Sequence, residues 1–243
     1  MRKDKVVLLC AAILLCACNQ SKFTPQEATL YCGDSIKVSV KDEPTAQLVS
    51  SAPFVASVNG TGWVKAQHVG EAKIGSATYM TNYNSNSVDD NTQNTNDYCR
   101  VTVKPRYEYY EEPMKDWDIT KDEVIRQLGN PSQVQRESGA EVLVYGDKNK
   151  DSYVTKYYFS GSRLDAALIV TETLTEAQLR DFLNERYWTD QEEDTYYDSC
   201  NEYFYYDSDD EETMTMVVQL DNYKNRGVIE VAYYKLEWVD PAW

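Results

Sequence analysis

The chain has 243 residues, of which 42% are hydrophobic and 26% charged. Those proportions suit one or two globular domains and exclude a collagen-like or wholly disordered chain. Forty acidic residues against twenty-four basic ones leave a net charge of −16, which repels phosphate backbones and argues against nucleic-acid partners. His68 is the single histidine, so most histidine-based catalysis and the usual zinc sites are set aside.

The chain opens with a targeting segment. Arg2, Lys3 and Lys5 precede an apolar run from Val6 to Ala17. Twelve residues rise about 18 Å as a helix, short of the ~30 Å hydrocarbon core, so the run reads as a secretory signal. Its end, Leu15-Cys16-Ala17-Cys18, resembles the lipobox of bacterial lipoproteins. The resemblance implies cleavage after Ala17 and lipid attachment at Cys18, because small Ala17 precedes Cys18 whereas bulky Leu15 precedes Cys16. Losing residues 1–17 removes three bases and one acid, leaving a mature charge of −18. The expected address is the outer membrane through the lipid anchor. No acidic run follows the lipid cysteine, which favours the periplasmic face slightly over the cell surface. Residues 18–23 form a tether.

From Thr24 to Lys104 short alternating runs and glycine-bearing turns predict strands rather than helices. Ile36 to Val40, Trp63 to Ala66, Ala72 to Ile74 and Arg100 to Lys104 are the clearest, and together they argue for a β-sandwich. Asn59-Gly60 and Thr61-Gly62 read as a tight hairpin needing positive φ. Val55, Val58, Val64 and Ile74 form the expected inward set, with His68 facing solvent at a turn. The runs Ser50 to Val58, Gly60 to Ala66 and Val69 to Ile74, with Leu30 to Ser35 at one end and Tyr98 to Val103 at the other, resemble the bacterial immunoglobulin-like domain of group 2. Members of that family occur in adhesins and surface enzymes, mostly as spacers or binding modules, so the likeness implies location more than activity.

Pro105 and Pro113 bracket an acidic, aromatic stretch, and residues 105–114 read as a linker. Its tyrosines either leave it extended or pack between domains. From Lys115 the pattern changes. Ile119-Thr120-Lys121-Asp122-Glu123-Val124 is a capping box with a hydrophobic staple, and the helix it starts stops at Gly129-Asn130-Pro131. Leu174-Thr175-Glu176-Ala177-Gln178-Leu179 repeats the device fifty-five residues on. Strands are expected at 141–145, 153–160 and 164–171 after the first helix. After the second they are expected at 203–206, 214–221 and 227–236, with a short one near Tyr196. Residues 115–243 therefore read as an α+β domain of two helix-plus-antiparallel-strand repeats. Together with Val124 to Pro131, this pattern loosely resembles small outer-membrane assembly lipoproteins and β-lactamase inhibitor proteins. That likeness implies an architecture only.

Chemistry-bearing motifs are few. Asp147 to Asp151 begins like a calcium loop, but Ser152 and Tyr158 stand where glycine and glutamate are required. The acidic run Asp207 to Glu212 reads as a solvated hairpin tip. No phosphate loop, nucleophile elbow or metal-binding helix motif is present, so no catalytic residue, metal or cofactor is expected. Among twenty tyrosines, Tyr197, Tyr203 and Tyr205 share one face of a strand. They are the candidate ligand contacts, since tyrosine rings give contact area at low entropic cost. Tyr196, Asp198, Cys200, Glu202, Phe204 and Tyr206 share the other face. Cys32 and Cys99 are a candidate disulfide, set against the favoured alternative of buried free thiols, which a parallel register would hold apart. The expected protein is a non-catalytic, lipid-anchored binding or spacer module for a glycan or an envelope protein. Its rivals are a structural adaptor in an outer-membrane complex and a carboxylate-dependent hydrolase.

Overall fold

The computed structural model describes residues 22–41, 43–77, 97–147, 151–190 and 194–236. The signal segment and Cys18 lie outside them. Most of the described chain is β-sheet, and no helix in it is long and apolar enough to cross a membrane.

The N-terminal strands are β1 (Phe23–Thr24), β2 (Glu27–Tyr31), β3 (Ser35–Lys37), β4 (Ser39–Val40), β5 (Leu48–Ser50), β6 (Ala56–Val58), β7 (Trp63–Ala66), β8 (Gly70–Ser76) and β9 (Tyr98–Lys104). They form a four-stranded sheet ordered β2-β9-β8-β5, a three-stranded sheet ordered β3-β7-β6 and the pair β1-β4. One core is shared by all three, with Val64, Ile74, Cys99 and Val101 fully buried. Phe23, the last residue of the expected tether, belongs to that core, so the tether ends one residue earlier. The alternating run at 36–40 is broken at Val38, whose N–H donates to the Gly62 carbonyl at 2.8 Å. Gly62 takes φ +82°, and a Cβ there would fall 2.4 Å from that same Val38 carbonyl oxygen. Gly62 alone supplies the positive φ that both hairpin glycines were expected to share. Val55 and Val58 are only half-buried, and Ala56 fills the interior between them. His68 is half-buried too, stacked on Phe54 at 3.9 Å. Burial lowers its imidazole pKa despite a bond to the Phe54 carbonyl.

Cys32 and Cys99, the two cysteines among these strands, are free thiols. The strands β2 and β9 run parallel, pairing Tyr31 with Lys104. Cys32 therefore lies level with the residue after Lys104, some six residues from Cys99 along β9. At ~3.3 Å per residue that is about 20 Å, far beyond the reach of a disulfide.

The described residues of the C-terminal part form two helices, α1 (Lys121–Leu128) and α2 (Glu176–Asn184), and eight strands: β10 (Gln133–Glu137), β11 (Ala140–Tyr145), β12 (Val154–Phe159), β13 (Ala166–Thr171), β14 (Thr195–Tyr196), β15 (Cys200–Tyr206), β16 (Met216–Tyr223) and β17 (Val228–Lys235). Thr120 and Thr175 are both N-caps in complete capping boxes. Each helix is followed by four strands in sequence order, one more than expected for the first, because the polar run Gln133–Glu137 pairs with β11. All eight strands make one antiparallel sheet ordered β10-β11-β12-β13-β17-β16-β15-β14. The last strands of the two segments, β13 and β17, meet at its centre. Both helices contribute to one core on the same face of this sheet, through Val124 and through Leu179, Phe182 and Leu183.

The expected linker is not a free connector. Tyr110 is buried in the C-terminal core, and Tyr107, Tyr109 and Met114 pack against it. Glu185, the C-cap of α2, joins the two parts. Its buried carboxylate accepts the backbone N–H groups of Arg106 at 2.8 Å and Tyr107 at 3.0 Å. Its carbonyl accepts the Val69 N–H at 2.7 Å. Arg106 extends the join by donating to the Cys32 carbonyl and pairing with Asp34 at 2.6 Å.

Candidate functional site

The parity of β15 decides which tyrosines meet solvent. Tyr203 and Tyr205 are 2% and 1% exposed, on the face that α2 covers. The Tyr203 hydroxyl donates to Glu176 of α2, and the Arg180 guanidinium lies 4.2 Å above its ring. The same Glu176 carboxylate accepts amide donors from Asn201 at 3.1 Å and Asn222 at 2.6 Å. Tyr203 and Tyr205 are thus core residues, and the expectation that they contact a ligand is corrected. An acid at the start of α2 anchors the helix to their side of the strand. Tyr197 is 53% exposed but precedes β15, beside the exposed Tyr196 of β14 and away from Tyr203 and Tyr205.

Opposite the helices, cross-strand partners form three rows. Glu202, Asp221, Glu230, Val170 and Val154 make the first. Phe204, Gln219, Ala232, Leu168, Lys156 and Val144 make the second. Tyr206, Val217, Tyr234, Ala166, Tyr158 and Val142 make the third. Val142, Val144 and Val154 form a small apolar cluster of their own, backed by Tyr158 and Val170. This face is apolar toward β11–β13 and acidic toward β15–β17.

The acidic end holds three carboxylates directly opposite one another on adjacent strands, an arrangement that like charges disfavour. Burial raises the pKa of Asp221, against hydrogen bonds donated by Gln219 and Tyr223. Burial also raises Glu230, with Lys156 opposing and Asp221 adding to the shift. Glu202 rises through burial and its neighbour Asp221. Cys200 lies beside them, its sulfur and the carboxylate oxygens of Glu202 and Asp221 all within 4.8 Å of one another. Its thiol pKa is raised by burial, so it stays protonated and is a poor nucleophile. At the other end, Glu137 accepts from Lys156 at 2.8 Å and from the Tyr158 hydroxyl at 2.6 Å. Burial pushes Glu137 upward, but these two donors outweigh it and hold the carboxyl below its ordinary value.

Sequence reading had put Glu202, Phe204 and Tyr206 together on a strand face but assigned the ligand to the opposite one. It missed Tyr158, Asp221, Glu230 and Tyr234 altogether, because they come from strands far apart in sequence. One signal was present. A charged residue sits inside the apolar runs of β16 and β17, at Asp221 and Glu230, where a face covered on both sides would exclude it.

No protein-family model matches the chain, and no curated protein is significantly similar to it. Among solved structures, it is similar to an extracellular protein containing an SCP domain from Bacillus anthracis, with 13% identity over 54% of this chain and 50% of that one, at a TM-score of 0.25. It is also similar to a cysteine-rich secretory protein from Staphylococcus aureus, with 13% identity over 52% and 46% of the two chains, at a TM-score of 0.27. The chain thus spans about half the length of each. A likeness at this level carries no argument about fold or activity.

Proposed function

We propose that the chain is a lipid-anchored envelope protein that binds a partner protein on the helix-free face of its eight-stranded sheet. Cys18 carries the lipid, the outer membrane is the address, and the N-terminal strands are a spacer of the bacterial immunoglobulin-like kind. The C-terminal part is a duplicated helix-and-strand unit. The observation that carries the binding role is the face itself, with tyrosine rings and valines beside a row of three acids. Seven strands of five residues or more span roughly 30 Å by 20 Å at ordinary strand spacings, on the order of 600 Å². That approaches the ~800 Å² per partner of a standard protein interface and exceeds what a single sugar unit covers. Acids at one end suit a partner with a basic patch flanked by apolar side chains.

Site-specific photocrosslinking in the native envelope tests this. Crosslinkers at Tyr206 or Tyr234 are expected to trap one defined envelope protein, and Glu230→Arg is expected to abolish the adduct. Equal adducts from the remote surface residue Trp63, or adducts insensitive to Glu230→Arg, would refute the assignment. Adducts with polysaccharide alone would move the ligand class to glycans.

A further inference from the structure

The chain enters the N-terminal strands at a fixed point. Phe23 is buried and pairs with Val40, and the Lys41 N–H donates to the Lys22 carbonyl at 2.7 Å. Only four peptide steps separate Cys18 from Lys22, at most about 14 Å of fully extended chain. A lipid on Cys18 therefore holds this end of the strands close to the membrane surface.

Three strands decide what that end displays. The pairing of β3, β7 and β6 turns Ile36, Val58 and Val64 inward, and Ser35, Lys37, Ser57, Trp63 and Lys65 take the outward positions. Lys37 lies directly opposite Trp63, and Lys65 follows two residues along β7. Trp63 is 48% exposed. Both lysines are exposed too, and neither has an ion-pair partner among the described residues. β3 leads into β4, so Lys37 stands three residues from Val40, the partner of Phe23. That is about 10 Å along the strand, which places Trp63 and Lys37 near the point where the tether arrives.

Charge is divided along the chain in the same sense. Residues 22–104 carry seven bases and eight acids, whereas residues 105–243 carry fourteen bases and thirty-one acids. An anionic leaflet repels the second part and leaves the first nearly indifferent as a whole. Two unpaired lysines then give the first part a local attraction, which distant acids oppose little because salt screens them beyond a Debye length. Indole rings settle at headgroup level, with the apolar body toward the acyl chains and the N–H among polar groups. A polysaccharide could be met by the same side chains, but the short tether keeps a lipid surface within their reach at all times.

We propose that Trp63, Lys37 and Lys65 dock the outer face of the β3-β7-β6 sheet on the headgroups of the membrane that holds Cys18. This second contact fixes the base of the spacer, which the lipid alone would leave free to turn. The proposal rests on the lipid anchor and is independent of the partner-binding face of the eight-stranded sheet.

Tryptophan quenching tests the docking, with the lipidated full chain reconstituted in vesicles of phosphatidylethanolamine and phosphatidylglycerol brominated near the headgroup end of the acyl chains. The mass of the mature chain reads the lipid on Cys18 independently. With the lipid present, the bromines are expected to quench part of the wild-type emission and none of it in Trp63→Phe, which keeps the other four tryptophans. Lys37→Gln combined with Lys65→Gln leaves the indole in place. It is expected to lower the docked-to-undocked ratio about tenfold or more and to remove its dependence on salt. Equal quenching in wild type and Trp63→Phe, or an unchanged ratio in the double-lysine variant, would overturn the docking and leave the anchor standing. A mature chain of unlipidated mass would refute the anchor and the docking with it. No quenching in vesicles, with Trp63 emission shifted instead by purified envelope polysaccharide, would reassign the face to a glycan.

Discussion

Replacing Asp221 with asparagine removes the middle charge of three. Asp221 is directly opposite Glu202 on one side and Glu230 on the other, and it is 9% exposed. Asparagine preserves the shape, still accepts from Gln219 through its oxygen, and can donate to the Tyr223 hydroxyl that now donates to it. Two unit charges about 6 Å apart repel by about 3 kcal/mol at an effective dielectric of 20. Water at the half-buried glutamates and partial protonation reduce this, leaving about 1–2 kcal/mol of stabilisation expected in Asp221→Asn at pH 8. The sign follows from the direction of the shifts. All three carboxyls have folded pKa values raised above their ordinary ones, so the folded protein holds protons that the unfolded chain has released. Stability from this cluster is fullest below the ordinary carboxylate values, is still mostly present near pH 4, and is lost as pH rises through the raised folded values. Urea denaturation at pH 4, 6 and 8 reads both quantities. The variant should gain stability over the parent at pH 8, keep little or none of that gain at pH 4, and show a flatter profile between. A variant less stable than the parent at pH 8, or one whose gain is the same at all three, would refute the like-charge account.

Two further substitutions bear on the fold. Thr175→Ala should lower stability by about 1 kcal/mol, roughly 2–4 °C in melting temperature for a chain of this size, with a comparable loss for Thr120→Ala; no measurable shift at either would show that these caps do not hold their helices. The α1 box should also weaken in acid, because its partner Glu123 is held below the ordinary carboxylate value by its bonds to Thr120, whereas Gln178 in the α2 box does not titrate. Glu185→Ala should destabilise by about 2–4 kcal/mol, since it strips the acceptor from two N–H groups at the join, while Glu185→Gln, which keeps an oxygen in place, should cost far less. Calorimetry decides between them, and equal losses would mean that charge rather than hydrogen bonding holds the join.

Local devices were legible in the sequence, and decisions made across the fold were not. Both capping boxes could be named because a cap is settled within four residues by orphan N–H groups. Strands with a strict alternation, such as Trp63–Ala66, emerged close to their observed bounds. The run Gln133–Glu137 was passed over because it has one apolar residue, Val134, and is a strand only through pairing with β11 at the sheet edge. The face of β15 was misassigned for a related reason. Both of its faces carry aromatic rings, so period-two patterning cannot tell inside from outside. The choice is made by Glu176, Asn201 and Asn222, which bond together only once α2 has docked.

The open face follows from how the two helix-led segments join. Each segment ends in a strand, and those strands, β13 and β17, pair antiparallel at the centre of the sheet. Neighbouring antiparallel strands are related by a two-fold rotation about an axis perpendicular to the sheet, and such a rotation exchanges the halves without exchanging the faces. Helices packed on one face of each half therefore come to lie on the same side of the whole sheet, and both contribute to a single core there. A rotation about an in-plane axis would instead have put one helix on each face and covered both. The chosen join concentrates the apolar packing on one side and leaves the second side to the shielding of its own side chains. On that side a buried aspartate between two glutamates is tolerated, because water can still reach the row. A surface kept by the topology and carrying charges that weaken folding is where a partner with complementary charge gains most. Relief of that repulsion on binding adds to whatever contacts the partner itself makes.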